Sequence, residues 1–199
     1  MARKKVRKAE IERKTRETDV RVRLSLDGTG QSRIKTPIGF FNHLLMSFAR
    51  HGFVDLQLSA KGDIEIDEHH TMEDIGIALG AALNKALGDR KGINRFGYTL
   101  IPMDEALARV VVDLSGRPFL VYQARIPRQK RWEFNVNLVE DFFRGLVNNC
   151  GMTLHIKLWY GEDYHHSLEA VFKAFGRALA QAVELNPRVR SVASTKGTL

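Results

Sequence analysis

Apolar and polar positions alternate cleanly near the start of the chain. Val20, Val22, Leu24 and Leu26 interleave with Arg21, Arg23, Ser25 and Asp27, the period of a strand with one buried face. Asp27-Gly28 then offers a turn. The pattern next predicts a helix after Pro37 that ends near Gly52, a strand at Val54-Asp55-Leu56-Gln57-Leu58, and a second helix running to about Leu87. Gly88 and Gly92 punctuate the midpoint. The same plan then returns, with strands near 98–113 and 119–126, a helix over about 135–149, a strand at 153–159 and a helix over 167–184. In that last strand Leu154, Ile156 and Leu158 point one way, and His155 and Lys157 the other, so His155 reads as an exposed strand residue. Each half is a sheet plus two helices on one of its faces. This gives the α+β class with two closely packed half-domains, 1–92 and 93–199.

The repetition is also chemical. His69-His70-Thr71-Met72-Glu73 returns 96 residues later as His165-His166-Ser167-Leu168-Glu169. Downstream, Ala78, Gly80, Ala82 and Leu83 correspond to Ala174, Gly176, Ala178 and Leu179 at the same offset. On a helix, positions i and i+4 share a face, so His69 and Glu73 can grip one ion while His70 is turned away by about 100°. If the copies face each other across a pseudo-twofold axis, each ion takes a His and a Glu from one helix and the adjacent His from the other. A fourth slot lies upstream, where His43 precedes its His pair by 26 residues and Asp141 precedes its pair by 24.

The donor types narrow the metal. No His-Glu-x-x-His string occurs, and the single Cys150 excludes thiolate zinc and iron-sulfur sites. Imidazole and carboxylate ligands suit manganese, iron or zinc, and a mixed site with room for further ligands leans toward manganese.

Composition removes other classes. With 199 residues, 44% hydrophobic, and no charge-free apolar run near 18 residues, the chain reads as a globular protein without a membrane span. One cysteine allows no internal disulfide and fits a cytoplasmic location. The net charge of +8 is local: residues 1–16 hold eight Lys/Arg and two Glu, a contribution of +6 that leaves +2 for the other 183. That arm reads as a solvated terminus, because it lacks the aromatic-basic interleaving of an RNA-binding segment and the apolar core of a secretory signal. Neither nucleic acid nor membrane is an expected partner.

Arg13-Lys14-Thr15-Arg16-Glu17-Thr18, Phe41-Asn42-His43, His69-His70-Thr71-x-Glu73-Asp74, Arg117-Pro118 and His165-His166-x-x-Glu169-x-x-Phe172-Lys173-Ala174-Phe175 together resemble the imidazoleglycerol-phosphate dehydratase family of histidine biosynthesis. The likeness runs from about residue 10 to the end. It implies two ferredoxin-like halves, two Mn2+ per subunit, and a homo-oligomeric shell of 24 subunits with active sites between them. Family members often carry His where this chain has Asp141. Combined with the repeat, the expected ligand sets are His69, Glu73, Asp141 and His166 for one ion, and His43, His70, His165 and Glu169 for the other.

The resemblance also implies the chemistry, loss of water from imidazoleglycerol phosphate to give imidazoleacetol phosphate. The proton on carbon is scarcely acidic, so metal ions on the two ring nitrogens would favour an electron-rich ring that expels the neighbouring hydroxide. Glu17 is nominated as the acid/base group, and Arg95, Arg117, Lys173, Thr195 and Lys196 as the phosphate site. His51 reads either as a helix-end histidine favoured by the dipole or as a substrate contact. The rival readings are a dinuclear metal phosphoesterase, which usually recruits several bridging aspartates, and a metal-binding assembly without catalysis.

Overall fold

The structure, a computed structural model, describes residues 6–127 and 134–197. In chain order the first half contains strands β1 (Lys8–Lys14), β2 (Thr18–Ser25) and β3 (Ser32–Lys35), helix α1 (Gly39–Gly52), strand β4 (Asp55–Gly62) and helix α2 (His69–Leu87). The second half repeats this with β5 (Phe96–Met103), β6 (Ala106–Asp113), β7 (Phe119–Gln123), α3 (Leu138–Cys150), β8 (Thr153–Tyr160) and α4 (Tyr164–Val183). The two four-stranded sheets have matching orders, β1-β2-β4-β3 and β5-β6-β8-β7. In each, three strands are antiparallel and the short third strand joins its edge in parallel. The fold is α+β, two tandem ferredoxin-like halves.

Strand alternation orients both sheets. Val20, Val22 and Leu24 of β2 and Leu56, Leu58 and Ala60 of β4 are buried on the inner face, as are Ala108, Val110 and Val112 of β6 and Leu154, Ile156 and Leu158 of β8. His155 lies on the exposed side. Helix α2 covers β1 and β2, α4 covers β5 and β6, and the helices of one half pack on those of the other, α2 on α3 and α1 on α4. The helices thus form a double layer between two sheets. Its centre is aromatic: Phe41, Phe142, Phe143 and Phe172 are fully buried, and Phe41 meets Phe142 edge to face with centroids 5.0 Å apart.

Glycines let these helices approach closely. A Cβ at Gly76 of α2 would stand 2.2 Å from the Phe142 carbonyl oxygen of α3, and one at Gly176 of α4 would stand 2.6 Å from the Phe48 oxygen of α1. Both obstacles are backbone, which cannot rotate aside.

Several sequence expectations need correction. The basic N-terminal segment is not simply a solvated arm, because Lys8–Lys14 is the edge strand β1, paired in full register with β2. Its charges answer one another across the outer face, Glu10 with Arg23 at 2.8 Å and Glu12 with Arg21 at 2.9 Å. Strand β3 was not anticipated. The strand expected over 119–126 stops at Gln123, and the last motif helix starts at Tyr164 rather than 167. Asp163 explains the earlier start: its side chain accepts the His166 backbone N–H at 3.0 Å and caps the helix before the His pair. Among the described residues, no helix is long and apolar enough to cross a membrane.

Candidate metal centre and active site

His43 projects from the first turns of α1, and that helix start is held by Asn42. The Asn42 Oδ1 accepts the Thr36 backbone N–H at 3.0 Å and the Thr36 hydroxyl at 2.7 Å, while its Nδ2 donates to the Thr36 carbonyl at 3.1 Å. The buried Phe41, Leu44 and Leu45 anchor the same turn in the core. On α4, His165 and Glu169 stand one turn apart. Glu169 Oε2 lies 2.8 Å from His43 Nε2 and 3.1 Å from His165 Nε2. One ligand atom from each of the three falls within 4.8 Å of the others, a group able to hold a metal ion. The Phe40 ring, centroid 5.0 Å from that of His165, closes one side.

Glu169 is the most constrained member, with its side chain 9% exposed. Burial opposes its charge, but hydrogen bonds from Lys173, whose Nζ is 2.8 Å from Oε1, and from His43 outweigh it and hold the carboxyl down at about 2. Lys173, expected at the phosphate, is thus paired with Glu169 in this chain.

The equivalent cluster on α2 and α3 is looser. His69 Nε2 is 3.5 Å from Glu73 Oε2, and His69 Nδ1 is 3.9 Å from Asp141 Oδ2. Asp141 therefore stands beside His69.

The other histidine of each pair points elsewhere. His70 Nδ1 lies 3.2 Å from Asp63 Oδ2 and 3.8 Å from Glu17 Oε2, and His166 Nδ1 lies 2.7 Å from Glu105 Oε2. Hydrogen bonds to Asp63 and Glu105 respectively raise both imidazoles above the ordinary value. Within one chain, three members of one expected set converge, His43, His165 and Glu169 without His70; in the other, Glu73 and Asp141 approach different ring nitrogens of His69, and His166 is turned to Glu105.

Glu17 sits exposed in the β1–β2 turn, beside His70. His51, in the last turn of α1, is lowered by burial and then by the charges of Lys173 and Arg177, which favours a neutral ring at the edge of the site. Arg95 is bidentate to Asp113 at 2.7 and 3.0 Å and donates to the Ala193 carbonyl at 2.7 Å, which ties it to the C-terminal segment carrying the exposed Thr195 and Lys196. Arg117 is exposed in the β6–β7 loop. A cavity of about 890 Å³ opens elsewhere, along β7 and β8, lined by Tyr122, Glu140 and Trp159 and by none of the eight ligand candidates.

Sequence reasoning missed Asp63, Glu105 and Phe40. The turns holding the two carboxylates have no periodicity to mark them. Comparing the repeats could have found Glu105, because the β5–β6 turn is the second half's counterpart of the turn that carries Glu17.

The sequence model of the imidazoleglycerol-phosphate dehydratase family matches residues 36–179. The imidazoleglycerol-phosphate dehydratase of Geobacter metallireducens is 54% identical over 193 residues, and that of Acetivibrio thermocellus 52%, each alignment covering 97% of this chain and 99% of the relative. Among solved structures, IGPD from Pyrococcus furiosus in complex with (S)-C348 superposes with a TM-score of 0.83 at 38% identity, covering 95% of this chain and 100% of that one. The imidazoleglycerol-phosphate dehydratase of Staphylococcus aureus gives 0.81 at 42% identity, covering 90% and 99%. The chain belongs to the imidazoleglycerol-phosphate dehydratase family.

Proposed function

We propose that the chain is a hydro-lyase that removes water from imidazoleglycerol phosphate to give imidazoleacetol phosphate, with two manganese ions per subunit held by the duplicated His/carboxylate clusters. The observation that carries the metal reading is the convergence of His43, His165 and Glu169 from helices of opposite halves. The residues fit a divalent cation: two imidazole nitrogens face a carboxylate that stays ionised down to about pH 2. His43, His165 and Glu169 would hold one ion, and His69, Glu73 and Asp141 the other. His70 and His166, turned away within one chain, would complete the sets from neighbouring copies. Bound there, the ions would act as Lewis acids that stabilise negative charge on the substrate's imidazole ring.

The remaining work falls to the chain's own side chains. Glu17 takes the proton from carbon as the neighbouring C–O bond breaks and passes it to the departing hydroxyl, which leaves as water. The resulting enol becomes the ketone. Glu17 is suited to this because it is a carboxylate at the rim, next to a ligand histidine but outside the converging groups. Arg95, Arg117, Lys173, Thr195 and Lys196 hold the phosphate, and His51 borders the substrate.

Completion of each site by another copy requires a homo-oligomer, and we assign a 24-subunit shell in the cytoplasm. The outer face of the second sheet supports self-association. That of the first is salted with Arg–Glu pairs, whereas that of the second exposes Tyr98 (72%), Leu100 (53%) and Trp159 (50%).

Manganese-loaded protein incubated with imidazoleglycerol phosphate tests the function. Ketone formation without phosphate release is expected. Phosphate release without ketone would make the protein a phosphoesterase, and tight metal binding with neither product would make it a metal-binding assembly.

A further inference from the structure

Glu105 occupies the same turn of the second half that Glu17 occupies in the first, yet its carboxylate is engaged on both sides. Oε1 accepts the backbone N–H groups of Glu162 at 3.1 Å and Asp163 at 2.8 Å, and Oε2 lies 2.7 Å from His166 Nδ1. Glu17 makes only the 3.8 Å approach to His70 and is more exposed, 55% against 32%. The duplicated turn has therefore diverged. One copy leaves its carboxylate free at the rim, and the other ties it to the start of α4.

We infer that Glu105 is a positioning residue that fixes the tautomer and orientation of His166, so that Nε2 is the nitrogen presented to a divalent cation. The inference rests on the metal reading above. An ionised carboxylate only accepts hydrogen bonds, so the imidazole nitrogen facing Oε2 must carry the proton. In the neutral ring the lone pair is then on Nε2, on the side away from Glu105. The two backbone contacts prevent Glu105 from swinging aside, and Asp163, one of the residues it holds, caps the His166 backbone N–H. Carboxylates behind metal-binding imidazoles commonly act in this way. His70 has only the longer 3.2 Å contact with Asp63 in this role, so the ring on the second half is the more firmly set.

Glu105→Gln separates orientation from shape. If the glutamine carbonyl keeps the two backbone N–H groups, its NH2 faces Nδ1, and a donor there drives the ring proton to Nε2, the nitrogen needed for metal. Free Mn2+, counted by electron paramagnetic resonance during titration of wild-type and variant protein, should show one of two sites weakened by about 10- to 100-fold and the other unchanged. In metal-free samples, 15N shifts should show the neutral His166 ring protonated at Nδ1 in the wild type and at Nε2 in the variant. Two sites of wild-type affinity in Glu105→Gln, an unmoved tautomer, or equal loss of both sites together with a lowered unfolding temperature would each overturn the inference. A wild-type protein that binds no second ion would fail in the control arm, sinking the two-ion reading and this inference with it.

Discussion

His43 and Glu169 are 126 residues apart and belong to different halves, yet His43 Nε2 lies 2.8 Å from Glu169 Oε2. The contact exists because α1 and α4 cross with almost nothing between them, Gly176 lying against the backbone of Phe48 and Gly52. The spacing of that crossing sets the distance between the imidazole and its carboxylate partner.

Gly176→Ala is therefore expected to destabilise the fold and loosen the site together. Its methyl would meet the Phe48 carbonyl oxygen at 2.6 Å and the Gly52 nitrogen at 2.9 Å, and forcing packed backbones apart costs about 1–3 kcal/mol. Urea unfolding should show that loss, with weaker Mn2+ binding in the native variant. Gly39→Ala, whose new methyl meets nothing within 4 Å, should change stability by no more than about 0.5 kcal/mol. Equal midpoints for the two variants would refute the close-crossing explanation.

Glu17→Gln should bind metal like the wild type while losing roughly 10²-fold or more in turnover, the usual scale for a missing acid/base group. Metal content and kcat measured on the same preparation check this. Near-normal kcat would remove Glu17 from the mechanism.

Asp141 stands where a histidine is also chemically suitable as a ligand, with His69 Nδ1 3.9 Å from its carboxylate and Glu73 on the other side of that ring. Asp141→His should keep two bound ions per subunit. Asp141→Ala should lower the stoichiometry toward one at limiting Mn2+, as read by metal analysis after gel filtration.

Asp55 supplies a pH-dependent term far from the ligand clusters. Its Oδ1 accepts the Thr29 and Gln31 backbone N–H groups at 2.9 and 3.0 Å. Burial is the largest single influence on it and pushes its pKa upward, but these bonds and one from Gly30 outweigh that and lower it from the ordinary 3.8. Because the folded value is depressed, the stabilisation is fully present above the unfolded value and disappears as pH falls through the folded one. In metal-free protein, the stability gap between wild type and Asp55→Asn should be open at pH 7 and shrink below pH 3.8. A gap independent of pH would contradict this.

The sequence reveals the interior more readily than the rim. Val20, Val22 and Leu24 announce β2 because burial enforces alternation, and the doubled His-His-x-x-Glu motif reveals which side chains share a helix face. Strand β1 has only Ala9 and Ile11 to mark it, since an edge strand needs few apolar positions, and β3 is four residues long. Asp63 and Glu105 act from turns, where a carboxylate obeys no period and its partner is chosen by tertiary structure. The pairing of Lys173 with Glu169 follows the i,i+4 spacing and is legible in the sequence. The separation of His70 and His166 from their expected partners follows from Asp63 and Glu105 facing their Nδ1 atoms, contacts that no sequence period marks.

The most direct test is an anomalous-scattering map of crystals grown with Mn2+. The account predicts two peaks per subunit. One lies among His43, His165 and Glu169 with His70 of a neighbouring copy, and the other among His69, Glu73 and Asp141 with a neighbour's His166. A single peak per subunit, or a peak with Asp141 or His43 remote from it, would contradict the account.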